Sequence, residues 1–293
     1  MAAIGDSAAP RAKGLSLHVG INEVGQSHYA EAVRALKNCI NDAKAMQDLP
    51  QFQGFEESKI LIDAAATRDA VKDAVASAAG RLKAGDIFLF TYSGHGSQVV
   101  DQNEDELENV RPGRELDKHD ETWCLYDGMM VDDEVNQLWQ SFAPDVRVLA
   151  LLDCCHAETS IRDIGGRPRR AAPGLPRRLP LMAAAKVQRN NRAFYADIQA
   201  KTQASVRLPI ACSVEVLAAC EDDQEASDGE EGGNGFFTGQ LLDAWDNGNF
   251  NGSLTDFYEL IKEYMSVAAD QTPKPFRDGE LNPAFLAQRP FTI

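Results

Sequence analysis

Four short, near-continuous apolar runs constrain this chain more than anything else in it: LSLHVGI (15–21), KILID (59–63), DIFLFTY (86–92) and VRVLALLD (146–153). They are too short for ordinary helices and lack the alternation of a strand with one wet face. They read as strands buried on both faces, the pattern of a parallel sheet. Between them lie segments of helical character, AEAVRALKNCINDAKAMQDL (30–49), TRDAVKDAVASAAGRLKAG (67–85) and VDDEVNQLWQSF (131–142). The second has Thr67 as an N-cap and a glycine terminator. The third carries its acids in the first turn, where the helix dipole favours them. This strand–helix alternation predicts an α/β fold with a central, mostly parallel sheet and helices on both faces.

Past residue 160 the texture changes. The segment 162–192 holds nine Arg or Lys against one Asp, Asp163, and is rich in Pro and Gly at its start. It reads as an exposed, poorly structured connection. Order resumes at LPIACSVEVLAAC (208–220), a further strand region, followed by helices in FFTGQLLDAWDNG (236–248) and SLTDFYELIKEYMSVAA (253–269). The expected organisation is a tail (1–14), a larger part (15–161), a basic linker (162–205) and a smaller part of the same domain (206–293).

Composition narrows the function. A net charge of −16 over 293 residues repels nucleic acid and anionic lipid, so neither is expected as a partner. MAAIGDSAAPRAKG lacks an apolar signal core, and no later run has bilayer length. The six cysteines show neither CxxC spacing nor disulfide-scaffold density, which points to a reduced, cytoplasmic protein whose thiols are mostly core residues.

Two strand ends carry the chemistry. DIFLFTY runs into SGHGSQ, and VRVLALLD runs into CCHA. In an open parallel sheet the C-terminal strand ends form the ligand crevice, so His95 and a cysteine meet at one edge. A nucleophilic thiol needs an adjacent base, which a neutral imidazole supplies. The glycines around His95 permit a tight turn and expose N–H groups suited to an oxyanion. Neighbouring side chains on a strand point to opposite faces. Asp153 and Cys155 therefore share one face and Cys154 takes the other, so only one of the two sulfurs can look into the crevice.

YSGHGSQ (92–98), LDCCHA (152–157), LKNCINDAKAM (36–46) and DETWCLYDG…VDDE (120–134) resemble the motifs of metacaspases, the caspase-like cysteine peptidases, with the bacterial orthocaspases nearest. The resemblance spans roughly residues 12 to 290 and implies a caspase-like fold, acting as a monomer. It implies Cys155 as nucleophile, His95 as base and the N–H groups of Gly96 and Cys155 as oxyanion donors. It also implies cleavage of protein substrates after Arg or Lys, with an acidic pocket formed by Asp42, Ser93 and Asp153. Two carboxylates in a partly desolvated pocket are costly when empty and complementary to a guanidinium. A later acidic stretch, EDDQEASDGEE (221–231), is expected to help shape the cleft through Asp223 or Asp228. The family further implies an activating Ca²⁺ on Asp120, Asp132, Asp133 and Asp163, a set of hard oxygen ligands. An EF-hand beginning at Asp101 is excluded, because Glu106 stands at the required glycine and Pro112 at the final Glu. After the Cys-His pair the family's Ser-Gly is replaced by Ala157 and Glu158.

An acidic pocket beside an Arg-rich linker has a consequence of its own. The linker can enter the cleft as a pseudo-substrate and be cut at Arg169, Arg170, Arg177, Arg178, Lys186, Arg189 or Arg192. A nucleic-acid-binding arm is the weaker reading, since the rest of the chain is acidic and the basic residues lack interleaved aromatics. The alternative to an active peptidase is a catalytically silent caspase-like scaffold that responds to calcium or binds proteins.

Overall fold

The computed structural model describes residues 12–29, 33–100, 119–155, 172–205, 208–221, 224–269 and 271–293. These residues form nine strands: β1 (Gly14–Gly20), β2 (Glu57–Ile62), β3 (Ile87–Ser93), β4 (Gly96–Val100), β5 (His119–Leu125), β6 (Gly128–Val131), β7 (Arg147–Asp153), β8 (Ser213–Ala218) and β9 (Lys274–Gly279). The helices are α1 (Gln26–Tyr29), α2 (Cys39–Phe52), α3 (Arg68–Ala79), α4 (Asp132–Gln140), α5 (Leu181–Asn190), α6 (Arg192–Thr202), α7 (Phe236–Trp245), α8 (Leu254–Ala268) and α9 (Pro283–Ala287).

Six strands make one sheet in the order β2-β1-β3-β7-β8-β9, parallel throughout except for β9, which runs antiparallel to β8. The expected α/β architecture is present. β1, β3 and β7 are buried along their whole length, as their unbroken apolar runs predict, and β8 is buried too. The fourth run, in β2, departs from that expectation, because β2 is an edge strand of which only Leu61 is buried. The sheet's two faces have separate cores. Val148, Ala150, Leu152 and Cys154 of the β7 run pack in a cluster with Val71 and Val75 of α3 and Trp139 of α4. Leu149, Leu151 and Cys155 pack in the other, with Met46 of α2, Leu241 of α7 and Ile261 of α8. The two sulfurs therefore lie on opposite faces.

A second sheet, β4-β5-β6, is antiparallel. It follows from the turn at His95, because Gly96 leaves β3 and pairs with Trp123. Two helix expectations shift in the structure. The helix read from residue 30 begins at Cys39, because the N–H groups of Lys37 and Asn38 are taken by Asp228 Oδ2 (2.7 Å) and Oδ1 (3.3 Å). The Thr67-capped helix ends at Ala79, with Gly80 rather than Gly85 as its C-cap.

The basic segment also departs from expectation. Its described part is not an exposed, poorly structured connection: it contains α5 and α6. Leu179, Val187, Tyr195 and Ile198 are buried against Tyr29, Val99, Cys124 and Met129, which form a third cluster over the second sheet. The apolar residues at 179, 183, 187, 195 and 198 give these helices a core-facing side, while Lys186, Arg189 and Arg192 stay exposed. No helix among the described residues is long and apolar enough to cross a membrane.

Candidate active site

β3 and β7 are paired in register with Ser93 opposite Asp153, so His95 and Cys155 leave the same sheet edge from adjacent strands. His95 is buried, and its Nε2 lies 2.8 Å from the Arg34 carbonyl oxygen. A carbonyl only accepts, so Nε2 carries the proton and Nδ1 is the bare nitrogen of the neutral ring. Nδ1 is buried and has no hydrogen-bond partner among the described residues. Burial lowers the His95 pKa; the Arg34 hydrogen bond opposes this and the Arg177 guanidinium adds to the lowering. The ring is held neutral with one nitrogen ready to take a proton.

Cys155 Sγ accepts the Ala226 N–H at 3.0 Å and lies 3.6 Å from the Ala226 carbonyl. The thiol is thus parked on the backbone of the loop after β8. Cys154 sits in the opposite core, where burial raises its pKa well above the usual thiol value.

The pocket next to this pair is filled by Arg177, whose side chain is fully buried. Its Nη2 lies 2.7 Å from Asp42 Oδ2 and 3.0 Å from Asp228 Oδ1, and its Nη1 lies 2.9 Å from Asp153 Oδ2. Nη1 also donates to Ser93 Oγ at 2.8 Å and to the Asp153 carbonyl at 3.1 Å. The carboxylates are themselves fixed. Asp153 Oδ2 accepts from the N–H (3.1 Å) and hydroxyl (2.7 Å) of Thr238, in the first turn of α7. Asp42 Oδ1 accepts the Gly235 N–H at 2.8 Å, at the cap of the same helix. The unsatisfied amides and positive end of α7 thereby hold two negative groups in place. A Cβ on Gly235 would fall 2.4 Å from Arg177 Nη2, so only glycine admits the guanidinium there. Even with that cation present, burial pushes the Asp153 carboxyl up to about 6, with Arg177 opposing and Asp42 adding to the rise.

The backbone of Arg177 is seated as firmly as its side chain. Its carbonyl oxygen accepts from Gly96 N–H at 2.9 Å and from Cys155 N–H at 3.4 Å. Its own N–H donates to the Ala226 carbonyl at 2.8 Å, and Asp228 N–H donates to the Leu175 carbonyl at 2.8 Å. Pro176 bridges Ser227 in antiparallel sense, so the segment lies along the 226–228 loop as an added strand. Gly96 must be glycine here, because a Cβ would come 1.8 Å from the Cys155 carbonyl oxygen.

The structure thus brings together Asp42, Ser93, His95, Gly96, Asp153, Cys155 and Arg177. The third carboxylate of the pocket is Asp228; Asp223, the other candidate of that acidic stretch, lies outside the described residues. So do Asp163, Arg169 and Arg170. Asp228 could be singled out in EDDQEASDGEE only by knowing which of its acids folds back onto Lys37 and Asn38. Arg178 lies just past the pocket, whereas Lys186, Arg189 and Arg192 belong to α5 and α6 and do not enter it.

Asp120 and Asp133 are buried and face α6. Gln199 Nε2 donates to Asp120 Oδ2 at 2.5 Å, and the Thr202 hydroxyl donates to Asp133 Oδ2 at 2.7 Å. Asp132 Oδ1 takes the Asp133 N–H at 2.9 Å. Among the described residues no three acidic, His or Cys side chains converge as a metal site. The oxygen chemistry at Asp120 and Asp133 nevertheless suits a hard cation, and the buried Gln199 Oε1 beside it has no hydrogen-bond partner among the described residues.

Comparison with known proteins agrees with this architecture. The caspase-domain family model matches residues 24–288. Metacaspase-2 of Trypanosoma brucei brucei is 32% identical over 164 residues, covering 51% of this chain and 42% of that protein. Metacaspase-3 of Arabidopsis thaliana is 32% identical over 165 residues, covering 52% and 41%. The chain thus matches less than half the length of these relatives. The crystal structure of protein GSU0716 from Geobacter sulfurreducens superposes with a TM-score of 0.81 at 39% identity, covering 96% of this chain and 98% of that one. The strand-end Cys and His, the mostly parallel six-stranded sheet and a family match over almost the whole chain lead to one conclusion: this chain belongs to the caspase-domain family.

Proposed function

We propose that this protein is a cysteine endopeptidase that cleaves protein substrates after Arg, and less well after Lys, and that it cuts its own chain after Arg177. The observation that carries this reading is Arg177 itself. Its guanidinium is enclosed by Asp42, Asp153 and Asp228 while its carbonyl oxygen rests on the N–H groups of Gly96 and Cys155. A substrate residue before the cleaved bond needs both contacts at once.

The chemistry follows from these positions. Cys155 Sγ turns from Ala226, loses its proton to His95 Nδ1 and attacks the carbonyl carbon. The two N–H groups hold the oxyanion of the tetrahedral intermediate. Its collapse breaks the C–N bond, and the imidazolium gives its proton to the departing amine. Water, deprotonated by His95, then hydrolyses the thioester and restores the thiol. The planar guanidinium donates from both Nη atoms to three carboxylates and Ser93, which an ammonium point charge cannot reproduce, so Arg is preferred to Lys. One chain supplies nucleophile, base, pocket and pseudo-substrate, which supports action as a monomer. Six free, buried cysteines support a reduced, cytoplasmic setting.

Ca²⁺ is proposed as an activator held by Asp120 and Asp133 with Gln199, and with Asp132 and Asp163 as further candidates. The cation would supply positive charge to these buried oxygens. Fluorogenic peptides ending in Arg, Lys or Asp, assayed with Ca²⁺ or a chelator, test the whole reading. Hydrolysis in the order Arg, Lys, then none for Asp is expected, and greater with Ca²⁺. A folded protein that hydrolyses none of them is instead the silent scaffold, a reading favoured only by the occupied pocket and parked thiol.

The pH dependence of the first, intramolecular cut follows from His95 and Asp153. A histidine whose pKa is lowered stays neutral, and so competent as a base, to more acid pH. Asp153 keeps its grip on Arg177 down to about 6. Single-turnover self-cleavage is therefore expected to lose rate on the acid side with a midpoint below 6.5, the ordinary histidine value. A midpoint at or above that value contradicts the assignment of the base.

A further inference from the structure

The residue that follows Arg177 is also held. Arg178 bridges Gly96 in parallel sense, and Leu179 N–H donates to the Gly96 carbonyl at 3.0 Å, so the position just past the scissile bond has a defined register. From that register the Arg178 side chain reaches the loop after β8, where its Nε lies 2.5 Å from Glu225 Oε1. Glu225 immediately precedes Ala226, whose backbone contacts both Cys155 Sγ and Arg177 N–H, and it lies three residues before the pocket carboxylate Asp228. The loop is pinned on both sides of it. Gln224 Oε1 accepts the Thr272 N–H at 2.7 Å, and Ser227 N–H donates to Gln271 Oε1 at 3.2 Å. A carboxylate on a pinned loop meets an incoming cation without first having to be ordered.

We propose that Glu225 selects a basic residue directly after the cleaved bond, so that the preferred substrates carry paired basic residues, cut between them. This rests on the peptidase reading and names the second half of its recognition sequence. The two subsites differ in strength. The Arg177 site is closed to water, whereas the side chains of Arg178 and Glu225 remain 27% and 42% exposed. An ion pair within reach of water is weak and screened by salt, so this preference is graded rather than absolute.

The test uses three internally quenched peptides with Arg before the bond and Arg, Ala or Glu after it, otherwise identical. For the wild type the expected order of kcat/KM is Arg, Ala, Glu, with an Arg-to-Glu ratio of about fivefold at low salt that shrinks at high salt. Glu225→Gln should bring the ratio toward one, and Glu225→Arg should invert it. A ratio that is the same in all three proteins overturns the role of Glu225 while hydrolysis after Arg still stands. Failure of the wild type to cleave any of the peptides overturns the peptidase reading, and this inference with it.

Discussion

An Asp153→Asn variant is expected to lose about 100-fold or more in kcat/KM toward peptides with Arg before the cleaved bond, the scale set by removing one partner of a desolvated charge pair. The uncleaved variant should also melt at a lower temperature, because its own Arg177 fills the same pocket and loses the same partner. The two effects have one cause. Three buried carboxylates surround a single guanidinium, so the pocket holds excess negative charge even when occupied. Burial lifts the Asp153 pKa from 3.8 to about 6. A carboxyl raised in this way binds more protons folded than unfolded, so its contribution to stability declines as pH rises from 3.8 to about 6 and stays low above that. That burial cost offsets part of the loss. The amide of the variant carries no such penalty but cannot neutralise a substrate cation. Calorimetry and steady-state kinetics on the two proteins check this together. A variant with unimpaired kinetics contradicts it.

Much of this arrangement was legible in the chain. The unbroken apolar character of β3 and β7 announced a doubly covered sheet, and the abrupt change to SGHG and CCHA at their ends placed His95 and Cys155 at one edge. The two-residue periodicity of a strand separated Cys154 from Cys155 without any coordinates. Other elements left no such trace. β4, β5 and β6 exist because the chain turns back at His95 and finds Trp123 and Met130 to pair with, a long-range choice invisible to local pattern. β9 has the alternating burial of an edge strand and carries Pro275, which argues locally against a strand. Basic charge and proline dominate the linker's composition and conceal its buried side. Arg177 and the apolar side of α5 and α6 are buried only by virtue of what lies opposite them. Composition could supply seven candidate cleavage positions, but choosing among them needed the pocket.

That choice is the central claim, and it carries the second large effect. Wild-type protein, incubated and then measured as intact masses after denaturation, is expected to yield two fragments, one ending at Arg177 and the other beginning at Arg178. Cys154→Ala should give the same pair, because its sulfur lies in the opposite core. Cys155→Ala should remain a single intact chain, because no other thiol faces the seated carbonyl on this reading. Self-cleavage at Arg177 that depends on Cys155 and not on Cys154 is the result the account predicts. Cleavage confined to another bond, cleavage that survives in Cys155→Ala, or a folded wild type that stays whole would contradict it.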